Sequence, residues 1–175
     1  MRALHFLLDT LATLYIAVIL LRLLLQLVRA DFRNPIARAI VQVSNPVVLP
    51  LRRVLPPLGK VDTASVVAVV LCTVLKLWIL SLLFLGTTPG AALLARWTLL
   101  DVAQLVLRTY QFSIFVNALL SFVAPGNYSP AQSLLSSLCE PVLRPFRRIV
   151  PPIGGIDLSP LWALLAIQAL LILLN

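Results

Sequence analysis

Histidine and cysteine are scarce in this chain. It contains one histidine, His5, and two cysteines, Cys72 and Cys139. A single histidine with no partner at a recognisable spacing gives no metal site, and two cysteines give no disulfide framework. The sequence also has no glycine-rich phosphate loop and no Gly-x-Ser-x-Gly nucleophile elbow. These absences predict a protein that is not an enzyme, with no catalytic residues, no metal and no cofactor.

Charged side chains are scarce as well. They make up 11% of the chain, against roughly 25% in soluble domains, while 61% of residues are hydrophobic. This composition leaves too little polar surface for a soluble fold and predicts a membrane protein. A transmembrane helix needs about 20 residues, and four apolar runs approach or exceed that length: residues 4–28, 63–85, 99–123 and 158–174. Their length and the absence of period-two alternation favour helices over a barrel.

One motif occurs twice, 95 residues apart, each time directly before an apolar run. The first copy, residues 46–62, reads PVVLPLRRVLPPLGKVD, and the second, residues 141–157, reads PVLRPFRRIVPPIGGID. A constant offset over so specific a pattern indicates a duplicated unit. We therefore predict an all-α membrane protein with four transmembrane helices in two parallel tandem repeats, each a helix, an interfacial amphipathic helix and a second helix. The first repeat spans residues 1–85, the connector 86–98 and the second repeat 99–175.

The distribution of basic residues predicts the topology. Nine of the fourteen Lys and Arg residues lie in the two loops that carry the motif. The positive-inside rule places these loops in the cytoplasm. With four spans, both termini then lie on the opposite, periplasmic side of a multi-pass protein.

Each of these loops is predicted to begin with an amphipathic helix. Asn34-Pro35 and Ser129-Pro130 are helix-start signals, because the first residue caps free amides and proline loses no bond at the first helical position. The apolar stripe of each helix is expected to lie in the bilayer interface. Packing beneath the transmembrane helices is the alternative.

The motif itself suggests two roles. Proline pairs hold the chain extended, glycine allows a turn, and the aspartate can cap the next helix; these hinge and cap residues are Pro56, Pro57, Gly59, Asp62, Pro151, Pro152, Gly154 and Asp157. The paired arginines are expected to contact anionic headgroups at the cytoplasmic face or an acidic partner: Arg52, Arg53, Arg147 and Arg148. Two arginines per loop are few for nucleic-acid affinity, which disfavours that partner.

Ionisable residues inside the apolar runs mark a second candidate site. Charges at mid-membrane are costly and commonly functional; here they are Asp9, Lys76, Asp101 and Arg108. One hypothesis joins them in a polar network in the interior. The other is a single structural ion pair with the remaining charges snorkelling to the interface, as expected of Arg22 near its span end.

Several stretches of the chain resemble the YggT family, including its YlmG relatives. They are Glu140-Pro141, Arg147-Arg148-Ile149-Val150-Pro151-Pro152, Gly154-Gly155-Ile156-Asp157 and Leu158-Ser159-Pro160. The first copy matches less fully, with Asn45-Pro46 and Gly59-Lys60 at the corresponding places. The resemblance implies a bacterial inner-membrane protein in a family linked to osmotic-stress tolerance, ion uptake and the organisation of nucleoids or division. It supplies no catalytic residues.

The sequence therefore favours a non-enzymatic membrane organiser or assembly factor linked to osmotic stress or to envelope and division organisation. Its expected partners are membrane lipids with anionic headgroups and an unidentified membrane or cytoplasmic protein, with a second copy of the chain as a further candidate. The alternative is a transport pathway for ions or osmolytes, or a modulator of one.

Overall fold

The computed structural model describes residues 2–56, 61–123, 129–149 and 157–174. These ranges contain six α-helices: α1 Arg2–Leu27, α2 Pro35–Val54, α3 Thr63–Leu85, α4 Ala91–Val123, α5 Pro130–Ile149 and α6 Ser159–Leu173. The prediction of an all-helical protein is confirmed for the part of the chain that is described.

Three helices are long and apolar enough to cross a membrane: Arg2–Leu27, Thr63–Leu85 and the Ala91–Phe122 part of α4. The fourth predicted span is represented by α6, which has 15 residues. At about 1.5 Å per residue it extends only about 22 Å, less than the roughly 30 Å of a bilayer's hydrocarbon core. Three of the four predicted spans are therefore long and apolar enough to cross a membrane.

The connector between the second and third spans is shorter than predicted. Gly86, in a left-handed conformation with φ of 66°, ends α3, and α4 already begins at Ala91. The segment after Gly90 is rich in alanine and leucine, which favour helix, and the Thr98 hydroxyl donates to the Leu94 carbonyl within it. Much of the predicted connector, residues 86–98, is therefore the first two turns of a 33-residue helix.

The two amphipathic helices begin where the sequence predicts. Pro35 and Pro130 are their first residues. The Asn34 Oδ1 accepts the Ile36 N–H at 2.9 Å, and the Ser129 Oγ accepts the Gln132 N–H at 3.1 Å. These side chains satisfy amides that have no partner within the helix, so both predicted start signals are confirmed.

Both amphipathic helices continue further than expected, through two internal prolines each. These prolines are Pro46 and Pro50 in α2, and Pro141 and Pro145 in α5. Prolines four apart fall on one helix face, so the lost hydrogen bonds are confined to that face, and all four prolines are exposed. As a result the arginine pairs lie in the last helical turn rather than in an extended loop, where they complement the negative end of the helix dipole.

The chain divides into two compact units. Unit 1 comprises Met1–Leu23 and Ile40–Leu105, and unit 2 comprises Leu24–Ala39 and Val106–Asn175. In unit 1, Ile19 of α1, Val48 of α2 and Ala68 of α3 are fully buried. In unit 2, α4, α5 and α6 share one buried apolar cluster: Ile114, Cys139, Leu143, Ala163 and Ile167.

The number of spans can be tested with a reporter fused after Asn175. We predict that the reporter lies outside the cytoplasm, because four crossings with cytoplasmic basic loops return the chain to the side on which it began. The measurement is the activity of a fusion that is active only in the periplasm, beside a fusion that is active only in the cytoplasm. A cytoplasmic C-terminus, with the N-terminus periplasmic, would show that α6 does not cross.

Candidate functional site

An ion pair of the buried Asp62 with the exposed Arg52 joins the end of α2 to the start of α3 in unit 1. Arg52 donates through Nε to Asp62 Oδ1 at 3.3 Å and through Nη2 to Asp62 Oδ2. The Ser65 hydroxyl donates to the same carboxylate at 2.8 Å. The Asp62 side chain is 1% exposed, whereas that of Arg52 is 39% exposed. The pair therefore fixes the exit of the amphipathic helix against the entry of the next span.

The same two positions of the second motif copy also form an ion pair, in unit 2. Arg147 donates through Nε to Asp157 Oδ2 at 2.9 Å and through Nη1 to Glu140 Oε2 at 2.7 Å. All three side chains are more than two-fifths exposed. Exposed pairs contribute little stability, at most about 1 kcal/mol, so this copy is the weaker of the two.

The capping role predicted for the two aspartates is wrong for Asp62 and agrees with the structure for Asp157. Asp62 does occupy the N-cap position of α3, but its carboxylate accepts no backbone amide. Hydrogen bonds from a guanidinium are charge-assisted and stronger than those from a neutral amide, and Arg52 takes the carboxylate. Asp157 does accept a backbone amide, that of Ser159 at 2.9 Å, although the N-cap residue of α6 is Leu158.

The environment of Asp62 favours its ionised form. Burial alone would raise the pKa of this carboxyl group. The hydrogen bonds from Arg52 and Ser65 outweigh that effect, with help from the positive charges of Arg52 and Arg22, and the pKa of Asp62 lies below its usual value. The carboxylate therefore stays charged at neutral pH and keeps Arg52 in place.

Most of the other predicted hinge residues lie outside the described residues: Pro57, Gly59, Pro151, Pro152 and Gly154. Pro56 is described, and its carbonyl accepts the Thr63 hydroxyl at 2.8 Å. This bond links the residues that follow α2 to the first residue of α3.

The second arginine of each pair has a different environment. Arg53 and Arg148 are exposed, and neither forms an ion pair with any described residue. Each is followed by a large apolar residue that is also exposed, Val54 at 78% and Ile149 at 77%. The arginine pair thus separates into one residue that binds an aspartate and one that is available to a ligand.

Three of the four intramembrane charges meet in unit 1. The Lys76 ammonium lies 2.7 Å from Asp101 Oδ2 and 3.3 Å from Asp9 Oδ1, and it donates to the Thr13 hydroxyl at 3.1 Å. The Lys76 side chain is 4% exposed. Arg108 is exposed and has no ion pair among the described residues. The structure brings together Lys76, Asp9 and Asp101, and leaves Arg108 out.

Arg22 is a polar residue whose position the sequence does not predict. It was expected to snorkel, but it is 4% exposed. Its Nη1 donates to Ser44 Oγ at 3.0 Å and to Asn45 Oδ1 at 2.9 Å, both on α2. The sequence contains only a weak signal for this position: Ser44 and Asn45 are adjacent polar residues within an otherwise apolar helix face of α2.

Groups that could hold a metal are absent from the described ranges, where no three His, Cys, Asp or Glu side chains cluster. Burial raises the pKa of the Cys139 thiol to about 12. A thiol of this kind stays neutral and packs as an apolar group.

Three apolar spans and two basic amphipathic helices define this chain as an α-helical membrane protein. It belongs to the CCB3/YggT family, whose sequence profile matches residues 1–83 and 96–175. The resemblance found in the sequence is thereby confirmed.

Several relatives cover most of the chain. An uncharacterised protein of Pseudomonas aeruginosa is 42% identical over 165 residues, which are 93% of this chain and 83% of that protein. The uncharacterised protein YggT of Escherichia coli K12 is 37% identical over 174 residues, or 92% of this chain and 83% of its own. The chloroplastic YlmG homolog protein 2 of Arabidopsis thaliana is 54% identical over 35 residues, 20% of this chain and 14% of its own. No solved structure matches.

Replacing Asp62 by Asn tests the buried ion pair. We expect a loss of about 2 kcal/mol in the free energy of unfolding, because hydrogen bonds to charged groups contribute about 1.5–3 kcal/mol. The matched control is Asp157→Asn, whose exposed pair should cost less than about 1 kcal/mol. Thermal unfolding in detergent micelles measures both; equal losses would contradict the difference in burial.

The same pair predicts a pH dependence. The folded-state pKa of Asp62 lies below its unfolded value, so its stabilising contribution is complete at neutral pH. It is lost as the pH falls below about 4 and through the lower folded-state pKa. Asp62→Asn should therefore unfold with a weaker dependence on acid than the wild type.

Proposed function

We propose that this chain is a non-enzymatic organiser or assembly factor of the bacterial inner membrane. In this function the basic ends of α2 and α5 engage anionic lipid and a protein partner at the cytoplasmic face. The processes served are osmotic-stress tolerance or the organisation of the envelope and division.

One observation carries the proposal: an exposed arginine without an ion pair, next to an exposed large apolar residue, ends both amphipathic helices. The pairs are Arg53-Val54 and Arg148-Ile149. A side chain such as Val54 gains free energy by entering the acyl boundary. The adjacent guanidinium then lies at headgroup level, where each basic residue contributes about 1 kcal/mol on an anionic leaflet.

The helix on which these residues lie supports the same function. Arg52 is held by the buried Asp62, whereas Arg147 binds the exposed Asp157, so the last turn of α2 is fixed more firmly than that of α5. Arg53 therefore projects from an anchored helix end, where binding requires less ordering of the backbone than a mobile loop would need.

The test is complementation by the double variant Arg53→Gln/Arg148→Gln in cells that lack the chromosomal copy. We expect a loss of growth at high osmolarity, since about 1 kcal/mol of headgroup attraction per arginine is removed. The matched control is Arg2→Gln/Arg96→Gln, which removes the same charge from exposed arginines outside the motif-bearing loops. Equal complementation by the two double variants, at equal protein levels in the membrane, would overturn the proposal.

A second candidate function is a pathway for ions or osmolytes, or control of one. The observation that favours it is the Lys76 ammonium, which is almost fully buried beside two carboxylates and the Thr13 hydroxyl. Ionisable groups at this depth commonly line ion or proton routes. With two carboxylates for one ammonium, the cluster also carries an excess negative charge that a mobile cation could balance.

Potassium flux in liposomes that contain only the purified protein tests this second function. If the cluster is part of a pathway, Lys76→Leu should reduce the flux to the level of protein-free liposomes. Arg108→Leu is the matched control and should leave the flux unchanged, because Arg108 is exposed and outside the cluster. No flux from folded, inserted wild-type protein would exclude the pathway.

A further inference from the structure

The carboxylates of unit 1 are all engaged, and one of them, Asp62, interacts with two arginines, Arg52 and Arg22. Unit 1 contains three carboxylates: Asp9 and Asp101 contact Lys76, and Asp62 binds Arg52. Arg22 is 4% exposed and donates only to the neutral Ser44 and Asn45 among the described residues. Arg22 and Arg52 therefore share the one negative charge of Asp62, and the excess positive charge favours an anion nearby.

A shallow groove on α2 is lined in part by Asn45, the hydrogen-bond partner of Arg22. It is wide open to the surface, its volume is about 410 Å³, and its lining residues are Gln42, Asn45, Pro46, Leu49, Pro50 and Arg53. The guanidinium of Arg53 supplies a positive charge at one end, and Leu49 and the two prolines supply apolar surface. A ligand that combines a phosphate with an acyl chain matches both features.

Asn45 connects the buried arginine with the groove. Its Oδ1 accepts a hydrogen bond from Arg22, and this contact fixes the orientation of the amide. The opposite atom, Nδ2, carries two donors, and it makes no hydrogen bond to another described residue. Arg22 thus orients Asn45 so that it can donate to an anion in the groove that Asn45 lines.

The second motif copy has the opposite charge at the corresponding places. The positions 95 residues after Arg22 and Asn45 are Asn117 and Glu140. Glu140 binds Arg147, which also binds Asp157. In unit 1, the four residues Arg22, Asn45, Arg52 and Asp62 together carry one excess positive charge. In unit 2, the corresponding residues Asn117, Glu140, Arg147 and Asp157 carry one excess negative charge. An anion is favoured only in unit 1.

We propose that the α2 groove binds the phosphodiester headgroup of an anionic membrane lipid, held by Arg53 and the Asn45 amide. The internal prolines add a second feature: Pro46 and Pro50 have no N–H to offer the carbonyls of Gln42 and Pro46. Those carbonyls can accept hydrogen bonds from headgroup hydroxyls, as in phosphatidylglycerol. The inference deepens the proposed function by assigning the lipid to one groove.

The decisive variant is Asn45→Glu, which places in unit 1 the residue that unit 2 has at this position. The introduced carboxylate can pair with Arg22 and would repel a phosphate. Native mass spectrometry of the full chain, with phosphatidylglycerol and phosphatidylcholine of matched chains, measures retention. We expect wild-type protein to retain phosphatidylglycerol preferentially, and Asn45→Glu to retain it about tenfold less, the equivalent of about one charge-assisted hydrogen bond.

The matched control is Gln132→Glu, which adds the same charge on α5 and should retain phosphatidylglycerol like the wild type. Thermal unfolding in phosphatidylcholine alone checks folding: Asn45→Glu should be at least as stable as the wild type, because Arg22 gains a partner. If Asn45→Glu unfolds at a lower temperature than the wild type, a second variant is needed. Arg53→Gln replaces an exposed side chain and must then show the same loss of phosphatidylglycerol retention.

Three results would overturn the proposal: equal retention by Asn45→Glu and the wild type, equal retention of the two lipids by the wild type, and displacement of the retained phosphatidylglycerol by an equal concentration of inorganic phosphate. The last would mean that the groove takes a free anion. A failure of the proposed function can be distinguished from these results, because that function also depends on Arg148, which Asn45→Glu does not change.

Discussion

The supply of carboxylates is the constraint on which the rest of this structure depends. The chain has fourteen basic and six acidic side chains. Three of the basic residues, Lys76, Arg52 and Arg147, form ion pairs with five of the six acidic ones. The sixth, Asp31, binds the backbone amide of Arg33. The other described basic residues therefore share a carboxylate, as Arg22 does with Asp62, or depend on neutral groups and water.

The two motif copies show how one sequence pattern can take two roles. The arginine–aspartate pair occurs in both, but Asp62 is 1% exposed and Asp157 is 42% exposed. Burial makes the first pair a structural element that is costly to break. Exposure makes the second pair a weak contact, and Glu140 shares its arginine. Divergence at the neighbouring positions has thus given unit 1 a stronger structural pair and unit 2 a more polar, solvated one.

Local signals predicted the parts of this structure that depend on few residues. The starts of α2 and α5 follow from Asn34-Pro35 and Ser129-Pro130, because capping is a property of adjacent residues. The meeting of Lys76 with Asp101 could be suggested from depth in the membrane alone. The burial of Arg22 could not, because it depends on which face of α1 packs against Ser44 and Asn45. The pairing of Asp62 with the Arg52 guanidinium was not predicted either, because helix-capping rules consider only the amides of the helix that the aspartate begins.

The prolines inside the amphipathic helices are a feature for which the sequence analysis made no prediction. Each of α2 and α5 passes through two of them. Their spacing of four places both on one exposed face, so the remaining faces keep a continuous ladder and the arginines stay helical. The carbonyls that lose their amides need donors from outside the helix, and water or lipid headgroups at an interface supply them. A helix with such unpaired carbonyls is disfavoured in an apolar interior, because every unsatisfied carbonyl there is costly.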